Sequence, residues 1–220
     1  MDPDLSLVGF DLDDTLYDHS QYVKAGFRAA ANYVEERTDQ DIYEDLVTTY
    51  YDDGEYHQTF DIVLEARDIS LDFVPEMVER HHDVIGALDP RPEVESVLSE
   101  LRATYDLALV TDGKNAPKKL DRLGLARYFD PIIVTREMDT SKADVEPFFR
   151  LLEASSVSAD EVVYVGDNPR VDFTHPNRLG MKTVWLRAGL HGDREPAEES
   201  EPDVEIETFT QLRELLLESP

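Results

Sequence analysis

The chain has 220 residues, of which 41% are apolar, and its formal net charge at pH 7 is −28. The apolar fraction is sufficient for a buried core, and the length suits one domain with a large insertion or two small domains. The acidic charge argues against a nucleic-acid partner, because such binding requires a basic face toward the phosphates. The lack of cysteine excludes disulfides, a thiolate nucleophile and cysteine-ligated zinc.

The sequence contains no signal-peptide pattern and no apolar run long enough to span a membrane. We therefore expect a cytoplasmic protein with no membrane partner, while the oligomeric state stays open. Acidic residues are spread along the chain, and only six of the 21 basic residues are lysine. This composition resembles that of proteins from salt-loving archaea, in which salt screens the repulsion between surface charges. An ordinary acidic protein is the alternative.

The first predicted element is a short buried strand that ends in carboxylates. An apolar run from Leu5 to Phe10 precedes Asp11, Asp13 and Asp14. In open α/β sheets, ligands bind in the crevice beyond the carboxyl ends of the strands. Carboxylates so close together repel one another unless a cation lies between them, and oxygen ligands suit Mg²⁺. In so acidic a chain, such a cluster also arises by chance.

The next part of the chain has helical spacing and no strand pattern. Apolar residues recur at helical intervals from Val23 to Val34, and further helical patterns continue to residue 85. Pro90 and Pro92 then mark a return hinge. The predicted domains are a core of residues 1–16 and 89–220 and a helical insertion of residues 17–88.

From Pro92 onward, predicted helices alternate with predicted strands. The strands are expected at residues 107–111, 132–134, 162–165 and 183–186, with a further edge strand at 204–206. This alternation predicts an α/β fold with a parallel sheet and right-handed crossovers.

Polar residues follow three of these strands. The turn Thr111-Asp112-Gly113 offers a hydroxyl and free backbone N–H groups that can hold a phosphate. The same three residue types also occur in ordinary turns. Lys142 precedes a helix and can neutralise a carboxylate or a phosphoryl oxygen; the alternative is a solvated surface lysine. Asp167 follows Gly166 and would lie beside Asp11 if their strands are neighbours.

Taken in order, these pieces resemble the four motifs of the haloacid dehalogenase superfamily of phosphohydrolases. The matching residues are Asp11 to Thr15, Thr111, Lys142, and Gly166-Asp167 with Asp172. The resemblance implies a Rossmann-like parallel sheet with an inserted α-helical cap of the C1 type. The chain departs from the commonest pattern at Asp112, where asparagine is usual, and at Ala143, where proline is usual.

The resemblance also implies a role for each motif residue. Asp11 would attack phosphorus and form an aspartyl phosphate, and Asp13 would protonate the leaving oxygen and then activate water. Mg²⁺ would be held by Asp11, the backbone carbonyl of Asp13 and Asp167.

The remaining implied roles concern the phosphate and the surroundings of the metal. Thr111, Asp112, Gly113 and Lys142 form the predicted phosphate-binding group, and Lys142 also balances the charge on Asp11. Asp172 would act indirectly, by orienting Lys142 or a water bound to the metal.

Asp13 indicates the reaction type, since a departing halide needs no proton whereas a departing alkoxide does. The sequence therefore predicts a Mg²⁺-dependent phosphatase of a small phosphorylated metabolite. A phosphomutase of the same fold is the nearer alternative, and a receiver-like phospho-signalling protein is the alternative from another class. Substrate specificity is expected in the cap, with these candidates, which also fit a cap core: Tyr50, Tyr51, Tyr56, His57 and Phe60.

Overall fold

A computed structural model of the protein describes residues 5–83, 86, 88–189, 191–192 and 194–218. The chain divides into two compact units. One comprises Met1–Asp18 together with Asp89–Pro220, and the other comprises His19–Leu88. No helix among the described residues is both long and apolar enough to cross a bilayer.

The first unit is built on a six-stranded sheet in the order β3-β2-β1-β4-β5-β6, and every neighbouring pair is parallel. The strands are β1 (Leu7–Phe10), β2 (Asp106–Thr111), β3 (Ile132–Val134), β4 (Val162–Gly166), β5 (Lys182–Leu186) and β6 (Val204–Ile206). The α/β fold with a Rossmann-like parallel sheet, predicted from the sequence, is confirmed. Because β1 lies between β2 and β4, the residues that follow these three strands share one edge of the sheet.

Helices connect the strands and cover the sheet. They are α5 (Val94–Leu101), α6 (Ala116–Leu123), α7 (Glu146–Ser155), α8 (Pro169–Asp172), α9 (Thr174–Leu179) and α10 (Phe209–Arg213). Phe148 and Leu151 of α7 are fully buried in a core cluster with Leu7, Tyr164 and Trp185. Burial of such side chains stabilises the fold by roughly 1.5–3 kcal/mol each. This packing fixes the strands whose ends carry the polar residues.

The second unit is helical, with α1 (Ser20–Thr38), α2 (Tyr43–Tyr51), α3 (Thr59–Ala66) and α4 (Val74–Asp83). Its own apolar cluster includes Phe27, Val34 and Leu46, and Tyr50 and Phe60 pack against that cluster. The Phe27 ring lies edge-on to both Tyr50 and Phe60. These two aromatic residues therefore contribute to the core of the helical unit.

Two further aromatic candidates of the helical unit differ in exposure. Tyr51 packs on the same cluster as Tyr50, whereas Tyr56 is 53% exposed. His57, next to Tyr56, is exposed as well. Of the five candidates for substrate contact singled out in the sequence, Tyr56 and His57 are exposed.

Candidate active site

The site lies at the edge of the sheet where β1, β2 and β4 end. Asp11 follows β1, Thr111 closes β2, and Asp167 follows β4. All three side chains are buried, with exposures of 4%, 0% and 3%. Parallel pairing of β1 with β2 and with β4 brings together residues that are far apart in the sequence.

Asp11 is held by backbone and side-chain contacts. Its backbone N–H donates to the carbonyl oxygen of Val165 at 2.9 Å, which continues the pairing of β1 with β4. Thr15 Oγ1 donates to Oδ2 of Asp11 at 3.2 Å, and Lys142 Nζ donates to Oδ1. Each oxygen of the Asp11 carboxylate therefore accepts one hydrogen bond, Oδ2 from Thr15 in the loop that follows β1 and Oδ1 from Lys142.

Lys142 places one ammonium group between two carboxylates. Its Nζ donates to Asp172 Oδ1 at 2.6 Å as well as to Asp11. Lys142 is 5% exposed and Asp172 is fully buried. Burial by itself lowers the pKa of Lys142, but the charges of Asp11 and Asp172 outweigh it and hold this pKa well above its usual value. Lys142 is therefore a permanent cation in the site.

Three buried carboxylates face this one ammonium. Oxygens of Asp11, Asp167 and Asp172 lie within 4.8 Å of one another. Burial, reinforced by the charges of Asp172 and Asp11, raises the pKa of Asp167 to about 9. Burial also raises the pKa of Asp11 to about 7, against the opposing effect of Lys142. If all three carboxyl groups were ionised, the cluster would hold more negative charge than Lys142 alone can neutralise.

Asp167 supplies the observation that points to a cation. Its Oδ2 is buried and has no hydrogen-bond partner among the described residues. A buried carboxylate oxygen without a donor is costly unless a positive charge faces it. Trp185 Nε1 donates to the Asp167 backbone carbonyl at 2.8 Å and holds the residue in place. The all-oxygen donor set of this cluster fits a hard divalent cation such as Mg²⁺.

Asp172 reaches the site because Gly166 has no side chain. A Cβ atom at Gly166 would lie 2.4 Å from Asp172 Oδ2, closer than atoms can approach. The same Oδ2 accepts the backbone N–H of Asn168 at 2.9 Å. Asp172 therefore uses one oxygen to fix the loop after β4 and the other to orient Lys142.

The Thr111-Asp112-Gly113 turn has two different environments. Thr111 Oγ1 accepts the backbone N–H of Gly113 at 2.9 Å, which closes the turn. The Asp112 side chain instead contacts the connection between β3 and α7. Its Oδ1 accepts the Thr135 hydroxyl at 2.6 Å and the Lys142 backbone N–H at 2.9 Å. The Asp112 carboxylate is thus engaged by the segment that carries Lys142, a contact that the sequence does not reveal.

Asp13 has two partners that sequence reasoning missed. The Tyr17 hydroxyl donates to Asp13 Oδ1, and Lys119 Nζ donates to the same oxygen at 2.6 Å. Within the part of the chain that the structure describes, the cluster comprises Asp11, Asp167 and Asp172, and the Asp13 carboxylate does not belong to it. Lys119 has a sequence signal, since it shares the buried face of α6 with Ala116 and Leu120. A lysine at a core-facing position, in a chain with few lysines, indicates a buried ion pair.

Asp14 shapes the loop rather than the cluster of carboxylates. Its φ of 62° lies in the left-handed region, which aspartate tolerates better than most residues. The Arg91 guanidinium donates to the Asp14 backbone carbonyl at 2.8 Å. Residue 14 therefore turns the chain after β1 and ties this loop to the segment that precedes α5.

Residues 8–186 match the protein family described as haloacid dehalogenase-like hydrolase. The chain is 31% identical to the glyceraldehyde 3-phosphate phosphatase of Methanopyrus kandleri, over 97% of this chain and 98% of that protein. It is also 31% identical to the protein of the same name from Methanocaldococcus jannaschii, over 94% of this chain and 93% of the relative. Among solved structures, a 2-haloacid dehalogenase from Pseudomonas syringae superposes with a TM-score of 0.71 and 26% identity, covering 97% of this chain and 99% of the other.

Proposed function

The chain belongs to the haloacid dehalogenase-like hydrolase family, and from this premise we propose that it hydrolyses phosphate monoesters of small metabolites through an aspartyl phosphate on Asp11. The observation that carries the proposal is the buried Asp11 carboxylate, which Lys142 and Thr15 hold at the end of β1. A second carboxylate, Asp13, lies two residues further along the same loop and supplies a group for proton transfer.

The proposed reaction has two steps. In the first, an oxygen of Asp11 attacks phosphorus, the bond from phosphorus to the ester oxygen breaks, and Asp13 gives its proton to that leaving oxygen. In the second, Asp13 takes a proton from water as the water oxygen attacks phosphorus, and the bond to Asp11 breaks. Inorganic phosphate leaves, and both carboxyl groups return to their starting states.

Lys142 and Thr111 are proposed to hold the phosphoryl group. The Lys142 ammonium already pairs with Asp11 and can also balance charge on the phosphoryl oxygens. The Thr111 hydroxyl and the backbone N–H groups of the Thr111-Asp112-Gly113 turn are the other donors. We assign the Asp112 side chain to a different task, because Thr135 and the Lys142 backbone already engage it.

We propose Mg²⁺ as the metal, held by Asp11, Asp167 and the backbone carbonyl of Asp13. The unpartnered Oδ2 of Asp167 and the oxygen-only donors support this assignment. When bound, the cation would stabilise negative charge on the phosphoryl oxygens. Asp172 is proposed to act indirectly, by orienting Lys142 through their hydrogen bond.

The helical unit is proposed to be the C1-type cap and to carry substrate selectivity. Tyr50 and Phe60 belong to its own core, so the exposed Tyr56 and His57 are the stronger candidates for substrate contact. The relatives in Methanopyrus and Methanocaldococcus are named for glyceraldehyde 3-phosphate, which makes a three-carbon phosphorylated aldehyde the first substrate to test. We further propose a cytoplasmic location, in a cell with high internal salt.

A phosphate-release screen over phosphorylated metabolites, with Mg²⁺ at low and at molar salt, tests this function. Glyceraldehyde 3-phosphate is included, and Asp11→Asn serves as the matched inactive control. We expect release of inorganic phosphate from at least one small substrate by the wild type alone. A phosphomutase would instead move the phosphate within a sugar phosphate, which ³¹P NMR of the same mixtures detects. Absence of both reactions over the whole panel would contradict the proposal.

A further inference from the structure

Lys119 is a buried cation outside the four motifs. It lies on α6, is 1% exposed, and its Nζ is 2.6 Å from Asp13 Oδ1. An ammonium group removed from water is costly unless a negative charge faces it. The Asp13 side chain, 20% exposed, supplies that charge. The pair therefore links α6 to the loop after β1 at the position of the proposed proton-transfer group.

Tyr17 holds the same oxygen from a second direction. Its hydroxyl donates to Asp13 Oδ1, and the Tyr17 side chain is fully buried. Lys119 Nζ also lies 5.8 Å from the centroid of the Tyr17 ring, so the three side chains form one cluster. Two donors on different segments thus fix Oδ1 of Asp13.

The other oxygen of Asp13 has a different environment. A Cβ atom at Gly113 would lie 2.1 Å from Asp13 Oδ2 and 3.1 Å from Thr111 Oγ1. Oδ2 therefore lies against the Thr111-Asp112-Gly113 turn, where the phosphoryl group is proposed to bind. The two oxygens of one carboxylate are distinguished by their neighbours: Oδ1 is anchored, and Oδ2 faces the turn.

We propose that Lys119, together with Tyr17, is a positioning residue that anchors Oδ1 of Asp13 and so makes Oδ2 the oxygen that transfers the proton. This inference rests on the proposed function. Lys119 touches neither substrate nor metal in this scheme, and it acts only through Asp13. The expected effect is one of orientation, because a carboxylate held in one rotamer does not populate unproductive rotamers. Small misplacements of a catalytic group lower the reaction rate by large factors.

The principal test compares Lys119→Met with Lys118→Met. Both remove one lysine charge from α6, but Lys118 is exposed, whereas Lys119 is buried and donates to Asp13 Oδ1. We expect Lys119→Met to lower kcat for an alkyl phosphate by about tenfold or more, which is part of the roughly 10²–10⁴-fold that general acid–base catalysis contributes in full. The KM should change little, and p-nitrophenyl phosphate, whose leaving group needs less protonation, should lose less. Lys118→Met should match the wild type.

A second measurement separates positioning from simple packing. In an Asp13→Asn background, Lys119→Met should cause little further loss of kcat, because the group that it positions is already removed. A packing role would lower kcat by the same factor in both backgrounds, and this additive result would overturn the inference. Tyr17→Phe keeps the ring and removes the hydroxyl, and it should show the same leaving-group dependence if Lys119→Met fails to fold.

The outcomes also distinguish this inference from the function on which it rests. If Asp13→Asn retains wild-type kcat on alkyl phosphates, the proposed acid–base role itself is wrong. If Asp13→Asn is strongly impaired while Lys119→Met and Tyr17→Phe both match Lys118→Met, the function stands and the positioning role is rejected.

Discussion

The Asp112 carboxylate accepts the backbone N–H of Lys142 at 2.9 Å, across 30 positions of sequence. The same oxygen accepts the Thr135 hydroxyl at 2.6 Å, and the Asp112 backbone carbonyl accepts Arg136 Nε at 2.8 Å. The turn after β2 is thereby fastened to the segment that delivers Lys142. Lys142 is the residue whose ammonium lies between Asp11 and Asp172.

The first prediction concerns Asp112. Asp112→Ala leaves two donors without an acceptor, which costs roughly 1–3 kcal/mol for each buried group. We expect lower thermal stability and about a tenfold loss of kcat as Lys142 loses its fixed position, since about 1.4 kcal/mol corresponds to a factor of ten. Asp112→Asn retains an oxygen at the same place and should keep most of the activity. Equal kcat values for Asp112→Ala and the wild type would show that this contact does not position Lys142.

The second prediction concerns the nucleophile. Asp11→Asn keeps the size of the side chain and removes the attacking oxygen's charge. Lys142 retains Asp172 as a partner, so the fold should persist, as measured by circular dichroism and thermal melting. Steady-state phosphate release should fall nearly to background. A variant that keeps half of the wild-type rate would rule out an aspartyl phosphate on residue 11.

The third prediction concerns Gly113. In Gly113→Ala the new methyl group meets Asp13 Oδ2, so the Asp13 side chain must rotate away and kcat should fall. The melting temperature should fall as well. In an Asp13→Ala background the obstructing carboxylate is gone, and the same glycine substitution should then cost little stability. An equal drop in melting temperature in both backgrounds would assign the effect to the backbone of the turn.

The fourth prediction concerns metal and pH. The pKa of Asp11 is raised to about 7 and that of Asp167 to about 9, both from an ordinary value of 3.8. The folded protein therefore holds these protons more tightly than the unfolded chain, and this stabilisation is complete below pH 3.8. It is lost as the pH rises through about 7 and about 9. In EDTA, the melting temperature should fall over this window.

Excess Mg²⁺ should oppose that fall, because the cation binds the ionised carboxylates of the folded state alone. Asp167→Asn is the control: it removes one titrating group and should show a smaller fall in EDTA and a weaker response to Mg²⁺. Activity in excess EDTA should be abolished. If Mg²⁺ leaves the melting temperature of the wild type unchanged at alkaline pH, the carboxylate cluster does not bind the metal.

The fifth prediction concerns salt and follows from the net charge of −28. The Debye length is about 10 Å at 0.1 M salt and about 3 Å at 1 M, so repulsion between surface carboxylates is large in dilute buffer and mostly screened near molar salt. The melting temperature should therefore rise steeply with KCl. A flat or falling profile up to molar salt would remove the high-salt interpretation and leave the phosphatase proposal untouched.

Much of the fold could be read from the sequence because its signals are local. The apolar run that ends at Asp11, the alternation of helices and strands after Pro92, and the helical spacing between Val23 and Val34 depend on neighbouring residues alone. The four motif residues Asp11, Thr111, Lys142 and Asp167 could likewise be singled out, since each ends or follows a predicted strand or precedes a predicted helix.

Which of these polar groups lie in contact depends on the tertiary structure. The order β3-β2-β1-β4-β5-β6 places Asp11 between Thr111 and Asp167, which are 100 and 156 positions away from it in sequence. No local sequence pattern encodes a strand order. Lys119 and Asp112 gain their roles from contacts across 106 and 30 positions, with Asp13 and Lys142 respectively. A buried charge requires an opposite charge nearby. The sequence alone does not identify this partner, because the partner is set by the packing of α6 and of the Lys142 segment against the sheet.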